Sequence, residues 1–262
     1  MSKTKKSDST KAQKEKETRQ SQNIVSEGDF VIVEYTARDK ETNTIFDTTY
    51  EKVAKEAKIY KEGEVYGPQL LIVGEGWTVP GLEKRIVGIK EGETKIIEVP
   101  PEEGFGRRDP SKIEKIPLRK FRKEGIDPKP KMRVNINNRI GTVIHVGAGR
   151  VLVDFNQPLA GKTLVYELKV SKILKDQNEK IQELIKRRIP DLDIAKVGIE
   201  KKEKVLTLNL PDEILFYRGV EIAKRGIAQD IFKYFEDIEK VRFVEEMVKE
   251  KPVEKKEATK EE

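Results

Sequence analysis

Apolar residues in this chain fall mostly into short runs that alternate with polar ones between charged turns, the period of half-buried strands, and only a few stretches show helical spacing. After the turn Glu27-Gly28-Asp29, the run Phe30-Val31-Ile32-Val33-Glu34-Tyr35-Thr36-Ala37 reads as a strand rich in β-branched and aromatic residues, with Tyr35 toward a pocket face. A polar turn over Asp39-Lys40-Glu41-Thr42-Asn43 leads to a short strand ending in Phe46-Asp47, and the charged stretch from there to about Gly67 reads as a linker. Leu70 to Val73 is the next apolar strand. Leu82, Ile86 and Ile89 then share one face of a short helix, and Thr94 to Val99 is a strand stopped by Pro100-Pro101. We read the stretch from Phe46 to Gly106 as the wall and floor of an apolar pocket.

Between about Arg108 and Gln157 the pattern is a small antiparallel sheet. Val134-Asn135-Ile136 passes through Asn137-Asn138, which tolerate positive φ, into Ile140 to Val146, and a turn at Gly147-Ala148-Gly149 feeds Val151 to Phe155. Gly147-x-Gly149 resembles a phosphate loop only superficially, because no helix follows it. The run Leu164 to Leu174 closes the first half. Beyond it, Ile181, Leu184, Ile185 and Ile189 repeat at helical spacing, and Leu206, Leu208 and Leu210 alternate as a strand expected to pair with Ala195 to Ile199. Pro211 is expected to open a long helix with the stripe Phe216, Val220, Ala223, Ile227, Ile231 and Tyr234, and Val241 to Val244 reads as a last strand. This third unit is a small α+β domain whose stripe exceeds what about three short strands can cover. Its residual apolar surface is expected to serve homodimer formation or substrate holding.

Composition changes this picture in three ways. The chain has 262 residues and 38% charged residues, which fits two or three small domains better than one. It has no cysteine and one histidine, His145, so disulfides, thiolate nucleophiles, cysteine-ligated zinc and histidine-rich metal sites are excluded. The formal charge of +6 is modest and mixed, weak support for nucleic acid. No apolar run of about 18 residues occurs and the start has no secretory-type apolar core, so a cytoplasmic protein without a membrane partner is expected. Residues 1–26 and 250–262 are too polar to offset ordering entropy and are expected as disordered tails. The first is lysine-rich; contact with the ribosome is one use, and the plainer expectation is a solubilising arm.

The landmarks Phe46-Asp47, Val73-Gly74-Glu75-Gly76-Trp77-Thr78-Val79-Pro80-Gly81-Leu82-Glu83, Gly88 to Glu93 and Pro101-Glu102-Glu103-Gly104-Phe105-Gly106 occur in the order of the FKBP-type peptidyl-prolyl isomerases, which the chain resembles. The closing segment Asn156-Gln157-Pro158-Leu159-Ala160-Gly161 is similar to that of SlyD-like members. The resemblance implies an α+β fold: an FKBP antiparallel sheet with one short helix over 27–107 plus 158–174, an all-β insert-in-flap domain over 108–157, and a C-terminal α+β domain over 176–249, as in long archaeal members.

It further implies prolyl isomerisation at a pocket walled by Tyr35, Phe46, Leu71, Val79, Leu82, Phe105 and Tyr166, with Asp47 orienting a donor or the substrate backbone and Trp77 at the rim. The insert is implied to bind unfolded chains, so the expected partners are unfolded or nascent polypeptides with X-Pro bonds, and no cofactor is implied. Phe105 stands where the family commonly has tyrosine, which removes a hydroxyl donor to the substrate carbonyl. The histidine-rich tail of some SlyD-like members is missing, so no nickel role carries over. A holdase or nascent-chain-binding module with a silent pocket stays open as the alternative.

Overall fold

The computed structural model describes residues 23–246. They fall into two units divided between Leu174 and Lys175. Most of the first expected tail and all of the second, 250–262, lie outside the described residues. The overlap corrects the first tail's end, because Ile24 bridges to Lys90 and Val25 is buried, its amide donating to the Ile89 carbonyl at 2.9 Å.

The first unit begins with β1 (Phe30–Asp39), β2 (Ile45–Thr48), α1 (Glu51–Glu56) and β3 (Gln69–Ile72). It continues with α2 (Pro80–Ile86), β4 (Thr94–Val99), β5 (Ile113–Pro117), α3 (Leu118–Lys123), β6 (Arg133–Ile136), β7 (Arg139–Gly147), β8 (Arg150–Asp154) and β9 (Leu164–Leu174). β2, β1, β9 and β4 lie side by side in one sheet, and β3 also pairs with β1. All these pairings are antiparallel.

The register explains the core. Val33, Tyr35 and Ala37 stand opposite Val170, Leu168 and Tyr166, while Ile97 and Val99 stand opposite Tyr166 and Leu164, so the alternate residues of three strands share one face. α2 packs there through Leu82 and Ile86, both buried. Its approach is close: a Cβ on Gly81 would sit 2.5 Å from Val99 Cγ1, which is why glycine stands at that position. Pro80 at the first helical position suits an amide that would lack a partner anyway.

The stretch after Asp47 is not the plain linker its charge suggests. α1 forms there, anchored by the buried Ala54, and Tyr60 stacks on Tyr66 with ring centroids 5.4 Å apart. Six residues with one buried anchor leave almost no periodicity in the sequence.

The insert carries its own four-stranded sheet in the order β5-β8-β7-β6 and its own apolar cluster. Both tight turns form as expected, with Asn137 and Asn138 at φ 54° and 58° and with Ala148 and Gly149 at 48° and 70°. The insert is not all-β, however. α3 lays Phe121, fully buried, on one face of the sheet, so that face is covered and not spare. Pro117 ends β5 and is the N-cap of α3.

In the second unit α4 (Gln177–Arg188) is capped by Asp176, whose carboxylate accepts from the Glu179 amide at 3.0 Å. β10 (Gly198–Lys202) and β11 (Val205–Leu210) form a hairpin turning at Glu203, so the expected partner Ala195 to Ile199 holds at Gly198 and Ile199 and runs on to Lys202 instead of starting at Ala195. α5 (Val220–Tyr234) follows, then β12 (Lys240–Glu245), parallel to β11. Pro211 starts a 3-10 turn over Asp212–Phe216 instead of a long helix, and α5 begins only after Gly219, at φ 77°. Phe216 therefore drops out of the expected stripe and is 89% exposed, whereas Ile227 and Ile231 are fully buried.

Candidate functional site

All eight residues proposed from the sequence converge on the face of the first sheet that carries α2. Leu71, Leu82 and Tyr166 belong to the buried cluster, and Tyr35, Phe46, Val79 and Trp77 pack against it half-buried. Asp47 reaches the group through Tyr35, whose hydroxyl donates to its carboxylate at 2.8 Å. Phe105 reaches it through Phe46, edge to face with centroids 6.5 Å apart. Phe46 meets Tyr166 in the same way at 6.2 Å, and Tyr35 lies tilted on Tyr166 at 5.9 Å. These are the geometries that the quadrupoles of aromatic rings favour.

A bulge is what aims Phe46. Ala37 pairs with Asp47 but Arg38 pairs with Ile45, so Phe46 is the extra residue of β2. Asp47 then lies across from Ala37, one pleat from Tyr35. β2 is further pinned by Thr49, whose side-chain oxygen accepts from the Tyr35 amide at 2.9 Å.

Two features went unread in the sequence. Glu83, given no role there, accepts hydrogen bonds from the amides of Gly76, Trp77 and Thr78 at 3.2, 2.7 and 3.2 Å and so fixes the loop that presents Trp77 and Val79. A carboxylate in the first turn of a helix that follows a glycine run was the available signal. The second is a groove of about 380 Å³ beside Phe46 and Asp47, walled by Ile59, Tyr60 and Tyr66 from the supposed linker.

Burial of the ring, followed by the adjacent Asp47 carboxylate, holds the Tyr35 hydroxyl above the ordinary tyrosine value of 10.0, and the same two causes raise Tyr166. Both phenols stay protonated at neutral pH, and the Tyr35 hydroxyl donates to Asp47. A raised folded-state value means a stabilising contribution complete below the unfolded value near 10.0 and lost as pH climbs through the folded one. Tyr35→Phe is therefore expected to cost about 1 kcal/mol or less at neutral pH. It should also lose less stability than the parent between about pH 8 and pH 11, a difference read from urea midpoints at the two values.

Comparison with known proteins addresses the family. A family described as FKBP26, IF domain, matches residues 114–159, and one described as FKBP26_C-terminal matches residues 177–248. A short-type peptidyl-prolyl cis-trans isomerase of Methanocaldococcus jannaschii is 35% identical over 157 residues, covering 60% of this chain and 99% of that protein. The chain belongs to the FKBP-type peptidyl-prolyl cis-trans isomerases. It is of the SlyD-like kind: the FKBP-type isomerase SlyD of Helicobacter pylori is 30% identical over 144 residues, 53% of this chain and 69% of its own. Among solved structures, the N-terminal domain of FKBP42 from Arabidopsis thaliana aligns at TM-score 0.32 and 15% identity over 58% of this chain and 78% of that one, a likeness too loose to add anything. No helix of the described residues is long and apolar enough to cross a membrane.

Proposed function

We propose that this FKBP-type isomerase accelerates proline-limited folding in the cytoplasm, turning X-Pro bonds over the Phe46–Tyr166 face while the insert holds the unfolded client. The convergence of Tyr35, Phe46, Phe105 and Tyr166 on one half-buried surface, with Asp47 at its edge, carries this reading.

Rotation about an X-Pro amide crosses roughly 20 kcal/mol because the twisted state loses the partial double bond. The planar amide is the more charge-separated form, which water stabilises. Aromatic and aliphatic walls from Phe46, Val79, Leu82 and Tyr166 replace that water, and a surface shaped for the twisted proline binds it in preference to the planar ground state. Asp47 fixes the Tyr35 ring through its hydroxyl, holding one wall in place. Phe105 supplies an apolar edge and no hydroxyl, so the hydrogen bond a tyrosine would offer is absent from this mechanism.

The clients of this reading are unfolded or nascent polypeptides with X-Pro bonds. The test is to compare isomerisation of a proline-containing peptide with refolding of a proline-limited protein. Acceleration of both, with the protein favoured, is the expected outcome; peptide turnover without any effect on refolding would remove the chaperone role.

The second unit exposes Phe216 and Ile222, at 89% and 80%, with Phe232 also open to solvent. Groups of this size on a small domain suit self-association. Light scattering is expected to give a dimer for the full chain and a monomer for a truncation ending near Lys175. A monomeric full chain with undiminished client holding after truncation would leave the unit without either use.

A further inference from the structure

The 50 residues from Arg108 to Gln157 hold twelve Lys and Arg against five Asp and Glu, an excess of seven, while the whole chain carries only +6. The remaining residues are thus balanced to within one charge, and the basic character of the protein resides in the insert.

Part of this charge lines an open groove of about 740 Å³ between the outward face of β6, β7 and β8 and the return segment 156–162. Cross-strand register puts Arg133, Thr142 and Asp154 in one row across that face. Asp154 is already neutralised by Arg108, at 2.7 Å, and Lys162 by Glu41 and Asp39, at 2.7 and 3.2 Å. Lys131 and Arg133 are exposed and have no ion-pair partner among the described residues. Apolar side chains stand next to these two cations: Met132, Ile140 and Ile144 are 40%, 59% and 39% exposed. β6 is moreover an edge strand, so an extended chain can add to it through main-chain hydrogen bonds.

We propose that the insert selects its clients by charge, taking extended polypeptide segments in which acidic residues flank apolar ones. Carboxylates meet Lys131 and Arg133, and the apolar side chains between them meet Ile140 and Ile144. The inference rests on the holding role given to the insert above. A nucleic acid fits the same charge but not the same surface. Sequence-tolerant binding of single strands relies on exposed aromatic platforms, and the two phenylalanines of the insert are withheld, Phe121 by burial and Phe155 under the Arg139 guanidinium at 4.0 Å.

The test uses the full chain and two fluorescent, proline-free peptides that share one apolar core, flanked by aspartates in one and by lysines in the other. Anisotropy titrations are expected to show the aspartate peptide binding about tenfold tighter, a gap that narrows as salt is raised. Lys131→Glu with Arg133→Glu should invert the preference while peptide isomerisation and circular dichroism stay unchanged. Equal affinity for both peptides, or a preference for lysines, overturns the selectivity and leaves the holding role standing. If neither peptide binds, selectivity falls; if proline-limited refolding is also no faster than peptide turnover explains, the holding role falls with it. Displacement of the aspartate peptide by polyuridylate at lower concentration than by its unlabelled self overturns the proposal in favour of a nucleic-acid surface.

Discussion

Phe46→Ala is expected to lower kcat/KM for a proline peptide about thirtyfold, a loss of roughly 2 kcal/mol in transition-state binding, with far-ultraviolet circular dichroism unchanged. The ring is the hub of the aromatic group, edge-on to both Phe105 and Tyr166, so its removal opens two contacts and lets water reach the reacting amide. The fold tolerates the loss because Phe46 is only half-buried, on the bulged four-residue strand β2, and the central cluster of Val31, Leu82, Ile86 and Leu168 does not depend on it. Asp47→Ala acts less directly. It frees the Tyr35 ring and leaves the Tyr35 hydroxyl without its acceptor, so a fall of about fivefold is expected, on the scale of one net hydrogen bond. Peptide kinetics on both variants decide the matter: a folded Phe46→Ala protein with parental kcat/KM would mean that the pocket lies elsewhere.

The sequence made the long strands legible because each has one buried face over most of its length: β1 and β9 alternate apart from their ends and the irregularity between Ile32 and Val33, and β9 has the bounds its apolar run suggests. Asn137-Asn138 was readable for a different reason, since few residues other than glycine accept positive φ at consecutive positions. The site residues could be named through the order of the family motifs, not through periodicity. What escaped depends on single anchors or on pairing. α1 hangs on Ala54 and α3 on Phe121, and one buried residue in six gives no period to detect. The bulge at Phe46 is a property of two strands together, invisible in either alone. In the second unit Pro211 suited a helix start in principle, but α5 starts only at Val220, after the left-handed Gly219, leaving Phe216 in solvent.

Replacing residues 108–157 by a short flexible loop is expected to separate two activities that the whole protein combines. Acceleration of proline-limited protein refolding should fall at least tenfold, about 1.4 kcal/mol or more of lost client binding, whereas turnover of a short peptide should stay within about threefold of the parent, a difference of roughly 0.6 kcal/mol. The neck makes this partition physical. On the insert side the Asp109 amide donates to Asn156 Oδ1 at 2.9 Å, Asn156 Nδ2 donates back to the Asp109 carbonyl at 2.9 Å, and Arg108 pairs with Asp154. These bonds are excised together, with no partner left stranded in the core. On the core side the Gly161 amide donates to the Gly106 carbonyl at 2.8 Å, a rung that survives the cut and keeps the ends close enough for a short loop. Phe105, the pocket residue nearest the neck, and Leu159, which packs against the first cluster, both remain. The apolar cluster around Phe121, Val134, Val143 and Val153 is separate from the cluster under the pocket, so its removal exposes no apolar surface of the first sheet. Peptide kinetics, refolding kinetics and circular dichroism on one deletion protein make the comparison, and loss of both activities with the fold retained would place the insert inside the active site.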